Sequence, residues 1–379
     1  MDLRLSSAER MFRSEVRAWL EANPPGEPPG SEAGDFSWRQ SWQRRQRSAG
    51  YIGLTWPAEF GGRGGSFMEQ AIFDEEAMRV GMLRPLNFVG LQLVGPSIIR
   101  HGTEWQKERF LAPILNADEF WCQGFSEPEA GSDLASLTTR GVKAAGGWRI
   151  YGQKLWTSLA HLADYCILLA RTDPTQGRHR GLTYFVLDMR QSGVELRRLR
   201  QANGNDEFNE VFLDGAWVPD QNVIGAVGEG WTVATTTLMY ERVGLAFAYS
   251  LEIGRDLGSL VRACREAGLL DDSAIRAQLA KFFAAAQSLR LIGLRALTAQ
   301  ADGRQPGPEG SIGKLRWAQV SQELAAFALD VLGDEGISEH SIWSASFLRS
   351  RSDSIKGGTS EIQANIIADR VLGLPRMSR

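Results

Sequence analysis

The sequence predicts an α+β chain of three parts: an N-terminal α-helical domain (1–120), a middle antiparallel β-barrel or sheet domain (121–227) and a C-terminal four-helix bundle (228–379). Three observations carry this. Helical periodicity runs to about Phe120, short β-rich segments bounded by turn residues follow, and helical periodicity returns from about Gly228. With 379 residues, the chain can hold two or three packed units of roughly 100–200 residues each.

In the first part, Ser6 and Glu9 carry a capping-box signature, and Phe12, Val16, Trp19 and Leu20 form one apolar stripe behind it. Further helical stretches are FMEQAIFDEEAMRVG and TEWQKERFLAPILN, set apart by the turn-rich NPPGEPPG and EFGGRGGS. In the second part, TTRGVKAAGGWRIYGQKLWTS reads as strand, glycine turn, strand. ADYCILLART, GLTYFVLDM, GVELRRLR and NEVFLDGAWV follow with no helix between them, so the sheet is expected to be antiparallel rather than βαβ. The third part opens with a run from Gly228 to Gly268 that could be one long helix, although Gly244, Gly254 and Gly258 weaken it. A second helix begins at an aspartate cap and carries Ile275, Leu279, Phe282, Leu289 and Ile292. A third covers SIGKLRWAQVSQELAAFALDVLG, and a fourth follows SIKGGTSEIQANIIADRVLG, where Ser360 and Gln363 make a capping-box pattern.

Composition excludes several classes. Hydrophobic content of 43% with 23% charged residues is that of a soluble globular protein, and a net charge of −3 offers no basic face for nucleic acid. The start is too charged for a signal peptide, and no apolar run approaches the ~20 residues of a membrane span. Cys122, Cys166 and Cys264 are far apart and the four histidines are scattered. A cytoplasmic location without metal chemistry is the expectation. PGPEGSIGKL is not a phosphate loop, because Pro308 and Leu315 stand where a glycine and a hydroxyl belong.

Four segments could carry chemistry. In GFSEPEAGSDLAS, Pro128 fixes a turn, Gly131 permits a positive φ, and Ser126, Ser132 and Asp133 offer polar groups beside exposed amides. This is either a nest for an anion or a cofactor's polar edge, or a plain capped surface loop. In GQKLWTS, Trp156 with Thr157 and Ser158 is either core or one wall of a site for a planar heterocycle. In LMYERVGLA, Glu241 beside Arg242 is either an ion pair or a carboxylate made basic by an apolar cleft. The Gly357-Gly358 pair is shaped to hold something, yet carries no proton-transferring group.

Taken in order, GFSEPEAGSD, GQKLWTS, FNEVFLDGAWVPDQNVIGAVGEGW and GGTSEIQANIIADRVLGLP resemble an acyl-CoA dehydrogenase over nearly the whole chain. The resemblance implies a bound FAD, with its isoalloxazine between the β domain and the C-terminal helices. By motif, Phe125 and Ser126 would meet the flavin's pyrimidine side. Gly131 and Ser132 would meet the cofactor phosphates or the CoA arm, and Trp156, Thr157 and Ser158 the ring. Thr359 and Glu361 would reach the adenosine diphosphate portion. Ser132, Arg242 and Gly358 would line the substrate. The implied reaction is α,β-dehydrogenation of an acyl-CoA thioester, with electron-transferring flavoprotein as acceptor.

Many family members carry the catalytic base as the glutamate of E-G-T, where this chain has Gly357. As in the isovaleryl and long-chain members, the base is then expected on the long helix, at Glu241, with the Gly357 backbone N–H toward the thioester oxygen. The family's R-x-x-F-G-x-x-L arm is replaced by RACREAGLLDDSAIRAQLAKF, which leaves Arg276 as a substitute on the adenine side. The altered arm resembles a bacterial subgroup acting on sterol side-chain CoA thioesters, so a homo-oligomer or a heterotetramer with a homologous subunit is implied. Two alternatives stand beside this reading: a non-catalytic or partner-dependent subunit, and a flavin monooxygenase or oxidase on the same fold.

Overall fold

The computed structural model describes residues 4–82, 85–301, 307 and 309–375; the side chains of 241–246, 300, 301 and 309 also lie outside the described residues. The elements in chain order are α1 (Ser7–Ala22), α2 (Glu32–Ser48), α3 (Phe67–Arg79), α4 (Gly95–His101) and α5 (Glu104–Leu115), then β1 (Trp121–Gly124), β2 (Arg140–Ala144), β3 (Gly147–Ser158), β4 (Tyr165–Arg171), β5 (Leu182–Asp188), β6 (Val194–Leu199), β7 (Phe208–Pro219) and β8 (Val223–Ile224). The helices α6 (Gly230–Glu266), α7 (Ser273–Ala301), α8 (Glu309–Leu332), α9 (Asp334–Ile337), α10 (Ile342–Ser350) and α11 (Ser360–Arg370) follow. The order helices, sheet, helices is the one the sequence predicts. The chain folds as two compact units. One holds 23–66 and the described residues of 82–241; the other holds 4–22, 67–81 and the described residues from 242 onward.

The β unit is built on an eight-stranded sheet in the order β6-β7-β3-β2-β4-β5-β8, with β1 attached to β4. Most pairs are antiparallel, as expected, but β1 lies parallel to β4, with Cys122 opposite Cys166. The apolar runs YCILLA and LTYFVL are buried on both faces, which explains why they read as near-continuous hydrophobics. Ile167, Leu169, Tyr184 and Val186 face a core shared with α5, Trp56 and the start of α6. Leu168, Ala170, Phe185 and Leu187 face a second core with Trp148, Ile150 and Val211. A one-residue slip would exchange these faces, so the register is firmly set.

In the helical unit the Ser6–Glu9 box forms as expected: the Ser6 amide donates to the Glu9 carboxylate, and the Glu9 amide to the Ser6 hydroxyl. Phe12, Val16 and Leu20 are buried behind it. The bundle core takes Tyr249, Ile253, Leu257 and Leu260 from α6, Leu279, Phe282 and Leu289 from α7, and Trp317, Val320 and Leu324 from α8. Spacings of three and four residues put each set on one helical face. Despite its glycines, α6 runs unbroken for 37 residues.

The glycines of this unit differ in what surrounds them. A Cβ on Gly293 would stand 2.8 Å from the Phe247 Cα, where α7 meets α6, whereas one on Gly254 would meet nothing within 4 Å. We expect Gly254→Ala to raise unfolding stability by ~1 kcal/mol and Gly293→Ala to lower it by about 1–3 kcal/mol. Urea unfolding checks both; equal effects would contradict this packing.

Candidate functional site

Two groups of residues singled out in the sequence come together, one in each unit. In the β unit the first is organised around a buried ion pair. Lys154 and Glu127 are both buried, and the lysine Nζ donates to a Glu127 oxygen at 2.8 Å and to the Phe125 carbonyl at 3.1 Å. Glu127 also accepts from the Thr138 amide (2.7 Å) and hydroxyl (2.8 Å) and from the Thr139 amide (2.9 Å). Burial would push the Glu127 carboxyl up, but the Lys154 charge and the hydrogen bonds from Lys154, Thr139 and Thr138 outweigh it and hold it at about 2. Burial pushes the Lys154 ammonium down, with Glu127 opposing. The two directions conflict over how well each charge is served. All four groups on Glu127 are donors, so the ionised pair is the state that satisfies the site.

This pair fastens the 124–136 loop to β3 just before the strand departs from its ladder. Lys154 pairs with Val211 and Thr157 with Asn209, so β3 carries one extra residue: a bulge. Trp156 there takes a left-handed φ of 59°, and the Leu155 amide donates to the Ser126 carbonyl at 2.9 Å. The Trp156 ring is 57% exposed and edge-on to Phe208, with centroids 5.9 Å apart. Ser158 is also exposed, whereas Thr157 is buried, its hydroxyl without a partner among the described residues. Thus Trp156 and Ser158 face outward and Thr157 inward.

Phe125 places its side chain in the core, edge-on to Tyr184, and offers the loop only its backbone. Gly131 and Ser132 are exposed. Gly131 does not take the positive φ the sequence suggested, and a Cβ there would meet nothing within 4 Å. Neither its backbone nor protein packing requires a glycine. Asp133 pairs with Arg178.

The second group, in the helical unit, surrounds Gly357 and Gly358, which take left-handed φ values of 65° and 87°. A side chain at 358 is strained by the positive φ, and its Cβ would lie 2.5 Å from the Gln363 Nε2, which would have to move. That nitrogen donates to the Gly357 carbonyl at 3.0 Å. Turning both carbonyls toward Gln363 leaves the two glycine amides with no acceptor among the described residues. The loop is held from behind by buried Asp353. Its carboxylate accepts from Ser321 and Lys356 at 2.7 Å each, and its carbonyl from Lys314 at 2.8 Å. Burial, helped by the Lys356 charge and opposed by Asp353 and Glu361, brings the Lys314 ammonium down to about 8.

The capping box expected at Ser360 and Gln363 is displaced by one residue. The cap is Thr359, whose hydroxyl accepts from the Ile362 amide at 3.3 Å, which frees the Gln363 side chain for the glycine loop. Glu361 is exposed in the first turn of α11. The hydrogen bonds it accepts, from its own backbone amide and from Thr359, hold its carboxyl below the usual range. Arg276 donates to the carbonyls of Leu270 (2.6 Å) and Asp271 (2.8 Å), and so braces the turn before α7. Glu241 and Arg242 lie on α6, but their side chains are outside the described residues.

Sequence reading missed the two groups that hold these loops, Lys154–Glu127 and Asp353–Lys314. A signal for the first was present: Lys154 stands in phase with the inward-facing Trp148 and Ile150 of β3. Among the described residues no cluster able to hold a metal ion occurs, and no helix is long and apolar enough to cross a membrane.

Models of the N-terminal, middle and C-terminal domains of acyl-CoA dehydrogenases match residues 6–118, 122–216 and 228–372. The acyl-CoA dehydrogenase IpdE1 of Mycobacterium tuberculosis is 41% identical, covering 97% of this chain and 98% of its own. Among solved structures, the Tcur3481-Tcur3483 steroid ACAD is similar at a TM-score of 0.88 and 30% identity over the full length of both chains. The ChsE4-ChsE5 complex of Mycobacterium tuberculosis is similar at 0.86 and 28%, again over both full lengths.

Because the folded-state Glu127 carboxyl lies at about 2 against an ordinary 4.5, the stability it contributes is present above pH 4.5 and lost as pH falls toward 2. Glu127→Gln should remove this acid-sensitive part. It should also cost about 3–5 kcal/mol at neutral pH by leaving Lys154 buried without its anion. Thermal unfolding from pH 7 to pH 3 checks this; an unchanged midpoint and slope would contradict it.

Proposed function

The chain belongs to the acyl-CoA dehydrogenase family, and we propose that it catalyses FAD-dependent α,β-dehydrogenation of an acyl-CoA thioester with Glu241 as the base. The observation that carries this is the Gly357-Gly358 loop. It has no carboxylate, but it has two left-handed glycines whose amides have no acceptor among the described residues. Family members are flavoproteins, and the residues here fit a flavin. Trp156 exposes a flat ring at the bulge, Ser158 an adjacent hydroxyl, and Gly131 a backbone with open space beside it. Thr359 and Glu361 stand at the N-terminus of α11, where a phosphate-bearing group is favoured by the helix dipole. Arg276, engaged with its own turn, is a weaker adenine-side candidate.

A flavin bound beside Trp156 and Ser158 would supply the acceptor for the hydride that leaves Cβ, while the Cα–H electron pair forms the new double bond. The protein's share is the proton and the developing negative charge. The α-proton is weakly acidic, so charge on the thioester oxygen must be stabilised as the proton departs. The Gly357 and Gly358 amides are fixed donors that need no reorganisation to do this. Glu241 takes the proton and works best dry and unpaired until substrate arrives. Ser132, Arg242 and Gly358 are the residues we propose for the substrate side. Electron-transferring flavoprotein is the proposed acceptor. The description of a 30%-identical structure as a steroid enzyme supports a bulky, ring-containing acyl group.

A second reading has an observation of its own. Gly357 in place of a carboxylate, together with similar structures that pair two differently named chains, favours a subunit that works only with a homologous partner.

Glu241→Gln decides the base. The variant should keep its flavin and be reduced by acyl-CoA at least ~10³-fold more slowly than wild type, as measured by anaerobic stopped flow. Wild-type bleaching rates in the variant would show that the base lies elsewhere.

A further inference from the structure

Behind the outward-facing Trp156 and Ser158 runs a line of polar side chains. Asn209, fully buried on β7, lies opposite Thr157 in the ladder. Its Nδ2 donates to the Thr157 carbonyl at 3.0 Å and to the Glu207 carbonyl at 3.3 Å. Carbonyls only accept, so these two bonds fix the amide's orientation and turn Oδ1 toward the His161 Nδ1, 3.1 Å away. His161 sits in the turn just after β3, and its Nε2 faces a Glu32 oxygen at 3.2 Å. Glu32 in turn accepts from both terminal nitrogens of Arg198, at 3.0 and 2.5 Å, and Arg198 also donates to Asp206 at 2.6 Å.

The line therefore begins at the first residue of α2, crosses β6 and β7, and ends on the backbone between Trp156 and Ser158. Its position matters because the ladder is interrupted there. The bulge removes one pairing, Trp156 and Leu159 both take left-handed φ values of 59° and 54°, and the Leu159 amide donates to the Glu207 carbonyl at 2.7 Å. Asn209 binds the carbonyls on both sides of that turn, Thr157 and Glu207, and so closes the gap the bulge leaves.

We propose that Asn209 and His161, anchored by Glu32 and Arg198, form a clamp that positions the Trp156–Ser158 strand end against the flavin. They act as positioning residues rather than by touching the cofactor. This rests on the function proposed above. The clamp sets how firmly the cofactor is held and the environment of its ring, and its outer members Glu32 and Arg198 are exposed, so their ion pair can be altered without opening a core.

The test uses purified holoenzyme with His161→Leu, which breaks the line, Asn209→Asp, which turns an acceptor toward two carbonyls, and His161→Gln, whose amide can still donate to Asn209. FAD release after dilution is followed by the recovery of flavin fluorescence, and the visible circular dichroism of the bound flavin is recorded beside it. His161→Leu should release FAD about tenfold faster, the equivalent of one lost hydrogen bond, with an altered flavin dichroism band. Asn209→Asp should release it faster still, and His161→Gln should return most of the way to wild type. If His161→Leu cannot be recovered folded, Glu32→Gln at the exposed end carries the test, with release about threefold faster. Variants that match wild-type FAD release and dichroism, or that only lower the unfolding temperature, would overturn the clamp alone. Wild-type protein that holds no flavin would overturn the proposed function and the clamp with it.

Discussion

Burying Lys154 and Glu127 together is the constraint on which the candidate group in the β unit depends. Removing either charge from water costs several kcal/mol, so the pair persists only if every lone pair and proton finds a partner. Those partners are the Phe125 carbonyl and the Thr138 and Thr139 donors. Satisfying the charges therefore fixes the start of the 124–136 loop, its far end and the middle of β3 in one step. The bulge follows directly after Lys154, and the exposed Trp156 ring is its product. A core of the same size made only of apolar side chains would bind the strand but would not orient the loop.

The helical unit solves a similar problem with a different charge. Asp353 is buried behind the glycine loop and joins α8 to the start of α11 through Lys314, Ser321 and Lys356. Gln363 then takes up the glycine carbonyls, and the two amides have no acceptor among the described residues. In both units a buried ionic group holds backbone geometry, and the groups proposed to meet ligands are backbone amides, one aromatic ring and small hydroxyls. In the proposed reaction this division suits the chemistry of a proton and a hydride, with the proton assigned to Glu241 and the ionic groups left satisfied.

Much of this was legible in the residues. Doubly buried β4 and β5 read as unbroken apolar runs, the Ser6–Glu9 cap was visible as a pattern, and the four ordered motifs gave the family and hence the three-part fold. What was hidden had physical reasons. Helix α2 escaped notice because its buried face carries Gln43 and Gln46 beside Trp42, so it shows little apolar contrast. Helix α10, at nine residues, is too short for periodicity to speak. The cap of α11 was misplaced by one residue because Thr359 and Ser360 are equally good caps in sequence, and only the glycine turn before them decides. The clamp of Asn209 and His161 was invisible for the same kind of reason: its members are 48 residues apart, and nothing local pairs them.

The claim at the centre of this account is that the chain is itself a competent flavin enzyme although its glycine loop lacks a carboxylate. The most direct measurement is the absorbance spectrum of the purified protein, titrated anaerobically with a panel of acyl-CoA thioesters that includes ring-bearing ones and with no other protein present. The account predicts yellow protein whose flavin band bleaches with a ring-bearing thioester, yielding the enoyl product. Colourless protein, or a flavin that stays oxidised with every thioester until a homologous subunit is added, would contradict it.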